Sequence, residues 1–92
     1  MMRIEFSRRG ADDLRALIGW YRETAPESLN RVLADINRSI DLLMDFPSAG
    51  EASPDGRFRH LVTRKYRYKL AYRVEADRVR IIGIFRYQQR DR

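Results

Sequence analysis

The chain has 92 residues, 43% of them hydrophobic, and carries 19 Lys or Arg against 13 Asp or Glu, a formal charge of +6. A chain of that length buries only a little over about 60% of its unfolded surface, enough for one core and one domain, and its hydrophobic share excludes intrinsic disorder. It has no cysteine and one histidine, which excludes disulfide staples and thiolate zinc sites and leads us to expect no metal and no cofactor.

The opening MMRIEFSRRG has charge but no apolar stretch behind it, so no export signal is expected. Arg3 to Phe6 reads as a short strand. Ser7 is placed to cap a helix, with Asp12 and Asp13 near its positive end. Ala11, Leu14, Leu17, Ile18 and Tyr21 recur at helical spacing and predict a helix over residues 8 to 23. Thr24-Ala25-Pro26-Glu27 breaks it and restarts a second, because proline suits a first helical position. Leu29, Val32, Leu33, Ile36, Ile40 and Leu43 continue an apolar stripe to Met44, with Asn30, Arg31, Asp35, Asn37, Arg38 and Asp41 assigned to a solvated face. So short a link predicts an antiparallel helical hairpin.

Phe46-Pro47 ends the second helix, since the residue before proline avoids helical geometry. PSAGEASPDG, residues 47 to 56, is rich in turn formers and reads as a loop. Strands follow over roughly 57 to 63, 66 to 74 and 78 to 87, with Glu75-Ala76-Asp77 turning the second into the third. The last is the most apolar and is expected to be central. Its apolar run around Ile81 to Phe85 falls far short of the roughly 20 residues that span a bilayer. The expectation is therefore a cytoplasmic protein with no membrane contact. The fold class is α+β in the order βααβββ, one domain over 1 to 92, its helical hairpin packed on a four-stranded, mainly antiparallel sheet.

Charge is segregated along this order. Residues 57 to 92 carry 12 Lys or Arg against three acids, whereas residues 1 to 56 carry ten acids against seven Arg. In the second sheet strand the pattern has period two. Tyr66, Tyr68, Leu70, Tyr72 and Val74 fall on one parity and are expected to face the helices. Lys65, Arg67, Lys69 and Arg73 fall on the other and are expected to face outward. Arg57, Arg59, Arg64, Arg86 and Arg90 can extend that cationic surface. A polyanion or acidic polypeptide crossing it would relieve self-repulsion and release counterions.

The order of these features resembles the RelE/ParE superfamily, the toxins of type II toxin–antitoxin pairs, over almost the whole length. The resemblance is carried by Ala11…Leu14…Ile18, then Leu42…Phe46-Pro47…Gly50, then Arg59…Leu61. It continues in Tyr68-Lys69-Leu70-Ala71-Tyr72-Arg73-Val74 and the ending Ile84-Phe85-Arg86-Tyr87-Gln88-Gln89-Arg90-Asp91. It implies a growth inhibitor of the plasmid-stabilisation kind, neutralised by a cognate acidic antitoxin that lays apolar side chains on Leu14, Ile18, Tyr21 and the second-helix stripe.

The superfamily divides by target. ParE-like members block DNA gyrase; RelE-like members cut messenger RNA in the ribosome. Cleavage by the neighbouring 2′-hydroxyl needs a base, an acid and a stabiliser of phosphate charge, and arginine cannot be the base. His60 is read as structural. Lys69 and Tyr87 are the catalytic candidates if the chain is RelE-like. However, Tyr68-Lys69 stands where RelE-like chains carry Tyr-Arg, Tyr87 where ParE-like ones often carry histidine, and no further tyrosine follows the last strand. The resemblance therefore leans to a non-enzymatic gyrase inhibitor. In that reading Arg59, Arg64, Lys65, Arg67, Lys69, Arg73, Arg86, Tyr87 and Arg90 contact the target. Two alternatives stay open: ribosome-dependent RNA cleavage, and a non-toxic module that only binds antitoxin.

Overall fold

A computed structural model describes residues 2–86. The elements are β1 (Arg3–Phe6), α1 (Arg8–Thr24), α2 (Leu29–Asp45), β2 (Glu51–Ala52), β3 (Arg59–Val62), β4 (Tyr68–Glu75) and β5 (Arg78–Arg86), with a 3-10 turn at Pro26–Ser28 between the helices. Ser7 caps α1 as its sequence position suggests, its Oγ accepting from the Gly10 amide at 3.0 Å. Asp12 and Asp13 lie beyond the first turn. Asp13 instead accepts the Ile84 amide at 3.0 Å, holding α1 against β5 where β1 no longer pairs with it. Gly10 permits that docking, because a Cβ there would run into the Ile81 carbonyl oxygen.

The sheet has five strands, in the order β1-β5-β4-β3-β2. β1 runs parallel to β5 and every other pairing is antiparallel. The expectation of four strands is thus corrected by one. β2 pairs Glu51 with His60 and Ala52 with Arg59, and a two-residue strand is too short to write a periodicity among turn formers. β5 lies inside the sheet, and β4 occupies its middle.

The helices cover one face. Val32, Ile36 and Leu43 from α2 pack with Leu70 and Tyr72 of β4 and Val79 and Ile81 of β5. At about 25 cal/mol per Å² of apolar surface, this face supplies the main driving force for the fold. Tyr72 is fully buried, and its hydroxyl donates to the Pro47 carbonyl and accepts from the Gly50 amide, each at 2.8 Å. Burial pushes its hydroxyl pKa up. The ring thereby pins the loop after α2, and a Cβ at Gly50 would lie 2.6 Å from both the His60 carbonyl oxygen and the Tyr72 hydroxyl.

Two further corrections bear on the site. The second long strand begins at Tyr68 and not at residue 66: Lys65 and Tyr66 belong to a turn that Arg67 closes with φ 60. The alternating sequence continues through that turn, so the pattern alone could not mark the break. Asp35, assigned to the solvated face of α2, is 1% exposed. It accepts the Tyr66 amide at 2.8 Å and the Lys65 amide at 3.2 Å. A carboxylate inside the protein is tolerated because these donors replace water.

Candidate functional site

Cross-strand partners share a face, so the register sorts the cations. On the face away from the helices, Arg3 and Glu5 of β1 stand beside Arg78 and Arg80 of β5, which oppose Glu75 and Arg73 of β4. Much of this row is internally neutralised. Arg78 Nη1 lies 3.0 Å from Glu5 Oε1, and Arg80 Nη2 lies 3.3 Å from the same oxygen. Arg80 Nε sits 3.3 Å from Glu75 Oε2, but without the alignment of a hydrogen bond. The sequence reading missed Arg78 and Arg80, since only the parallel pairing of β1 with β5 brings Glu5 to them.

Lys69 and Arg73 share this outer face and have no ion-pair partner among the described residues; Arg73 is exposed. His60 is also outward, opposite Ala71, and its Nε2 lies 3.4 Å from Glu51 Oε1 on β2. The only histidine therefore sits on the face of Lys69 and Arg73, diagonal to both across the β3–β4 pair.

The other expected contact residues go elsewhere. Arg59 is on the inner parity opposite Tyr72, and its Nη1 donates to the Gly50 carbonyl at 2.7 Å, bracing the loop. Arg57 is an exposed loop residue 3.7 Å from Asp55. Arg86 opposes Tyr68, which places it on the helix side, where it lines a cavity of about 300 Å³ with Asp13, Leu17, Trp20, Tyr21 and Tyr68. Tyr87 and Arg90 lie outside the described residues. Arg64, Lys65 and Arg67 belong to the β3–β4 turn.

That turn is held by charge. Burial pushes the Asp35 carboxyl up, but the Tyr66 amide, the Thr63 hydroxyl, the Lys65 amide and the Arg38 guanidinium together hold it below its ordinary value. Thr63 is fully buried and accepts the Tyr68 amide at 2.9 Å, so the same cluster fixes the start of β4. Lys69 and Arg73 are thus presented from a strand whose beginning is locked to α2.

Beside the turn, α2 and β3 enclose a groove of about 340 Å³ lined by Leu42, Leu61 and Val62 among others. A second cavity of about 400 Å³, lined by Arg38, Arg64 and Lys65, adjoins it. On α1, Tyr21 is taken up by the core, its hydroxyl 2.9 Å from that of Tyr68. Burial, reinforced by the Tyr21 hydroxyl, pushes the Tyr68 pKa up to about 12. Leu14 packs against the core and Ile18 is half-buried, so little of that stripe is open to a partner. Among the described residues, no helix is long and apolar enough to cross a membrane.

No curated protein matches the sequence. Among solved structures, the chromosomal ParDE TA system from P. aeruginosa contains a chain similar to this one, with TM-score 0.78 and 25% identity, covering 96% of this chain and 98% of that one. A conserved hypothetical protein from Helicobacter pylori shares the fold, with TM-score 0.58 and 18% identity over 92% of this chain and 93% of its own. The family model for the ParE toxin of the type II toxin–antitoxin system parDE matches residues 4–91, so the chain belongs to the ParE toxin family.

Proposed function

We propose that this protein arrests growth by binding DNA gyrase, without chemistry of its own, and that a cognate antitoxin neutralises it in the cytoplasm. The observation that carries the reading is the end-to-end similarity to a chain of the P. aeruginosa ParDE system, joined to family membership over residues 4–91. The outer sheet face supplies the target contact. Lys69 and Arg73 project from a strand inside the sheet, and cations with no ion-pair partner among the described residues can engage an acidic surface without first breaking a salt bridge there.

RNA cleavage is the second reading, and one observation favours it. The His60–Glu51 pair stands on the face of Lys69 and Arg73, an arrangement that can offer a base beside two phosphate-binding cations. Tyr68 has no part in it, being inward and protonated at neutral pH.

Induced expression is the test of the toxin–antitoxin reading. Growth should stop on induction and resume when the adjacent antitoxin is co-expressed. Undiminished growth on induction, with intact protein accumulating, would instead indicate a module that binds antitoxin only.

A further inference from the structure

We propose that Phe85 anchors the target contact on the outer sheet face, and that it meets an acidic protein surface with an apolar centre. This rests on the gyrase reading above and adds to it a residue that carries no charge. Phe85 is 39% exposed, and among the described residues no other large apolar side chain of the outer face is so open. The fold imposes that position. Ile81 is buried on the helix side, so an unbroken strand would send Phe85, four residues on, to the same side. The bulge that leaves Ile82 without a partner, between the Tyr72–Ile81 and Ala71–Gly83 pairs, reverses the parity and turns Phe85 outward, opposite Lys69. Bulges of this kind re-aim side chains at functional sites.

Two neighbours hold the ring. It leans over Gly83, where a Cβ would fall 2.8 Å from Phe85 Cζ. The Arg9 guanidinium sits over it, 5.4 Å from the ring centroid. Arg9 reaches there from the first turn of α1, with its side chain 67% exposed and its Nε 3.5 Å from Asp13. Lys69 lies directly across the strand pair and Arg73 further along the same face. An aromatic side chain with cations around it matches the apolar centre and polar rim of a protein interface. The same arrangement disfavours nucleic acid. Arg9 covers ring surface on which a base would stack. Glu5, Glu51 and Glu75 share the outer face and would repel a continuous phosphate backbone. A folded surface can set carboxylates against Lys69 and Arg73 and keep them from those glutamates.

The test is the affinity of the full chain for purified gyrase and, separately, for its antitoxin, measured by biolayer interferometry. Phe85→Ala should raise Kd for gyrase about 30-fold or more and leave Kd for antitoxin unchanged. Lys69→Ala should cost less in the Phe85→Ala chain than in wild type, because the two side chains serve one contact. Gly83→Ala should weaken gyrase binding while Phe85 is present, since the new Cβ displaces the ring, and change nothing in the Phe85→Ala chain. Wild-type gyrase affinity in Phe85→Ala would overturn the anchor and leave the gyrase reading standing. Equal losses toward gyrase and antitoxin would also overturn it, placing the role of the ring in the fold. Binding of oligothymidylate that Phe85→Ala abolishes would overturn the choice of a protein partner. A wild-type chain with no affinity for gyrase would overturn both the anchor and the gyrase reading.

Discussion

Asp35→Ala is expected to lower Tm by at least about 10 °C, with little loss of helix at low temperature. The substitution removes the acceptor of two backbone amides, Lys65 and Tyr66, and a partner of the Thr63 hydroxyl. Each buried donor left unsatisfied costs about 1–3 kcal/mol. At this chain length 1 kcal/mol moves Tm by about 4–8 °C. Asp35→Asn should cost less, because its amide oxygen can still accept the Tyr66 amide. The pH dependence has a definite sign. The folded carboxyl titrates below its ordinary value, so its stabilisation is complete above the unfolded pKa of about 3.9 and is lost as pH falls through the folded value. Thermal melts between pH 6 and pH 2 should show Asp35→Asn converging on wild type at the acid end. A constant gap across that range would place the effect in packing.

Replacing Lys69 and Arg73 together with alanine is expected to abolish growth arrest while Tm stays within a few degrees of wild type. Neither side chain has an ion-pair partner among the described residues, and surface charges of this kind contribute within about 0.5 kcal/mol to stability. Arg78 and Arg80 make the contrasting case. They bridge Glu5 and Glu75 across three strands, so alanine there should strip a paired network and lower Tm. The measurement is growth after induction, with a thermal melt of the same purified variants. Continued arrest by the Lys69→Ala/Arg73→Ala chain would remove the outer face of β4 from target contact.

Much of this molecule was readable from its residues. The Ser7 cap, the apolar stripes of both helices and the Phe46-Pro47 stop all follow from local rules, and the helix limits fall within a residue or so of those expected, apart from the 3-10 turn before α2. The site was harder. The β4 alternation runs back through Lys65 and Arg67 with no break in pattern, because the turn is imposed by Asp35 some thirty residues upstream. Nothing local to Asp35 distinguishes it from the other charges on α2. Arg59 and Arg86 counted as outward cations until register placed them opposite Tyr72 and Tyr68. A skipped residue on β5, where Ala71 opposes Gly83 and Tyr72 opposes Ile81, shifts parity near the strand's end and carries Arg86 to the helix side. A β-bulge of this kind leaves no mark in a period-two pattern.

The claim that the chain blocks gyrase without cutting RNA is tested most directly by a supercoiling assay on purified protein, run beside ribosomes loaded with a defined message. The account predicts that gyrase loses supercoiling activity as toxin is added, that added antitoxin restores it, and that the message stays whole. Codon-positioned cuts in the message, with supercoiling untouched and cleavage lost in His60→Ala, would contradict it and assign the outer face of β3 and β4 to ribonuclease chemistry.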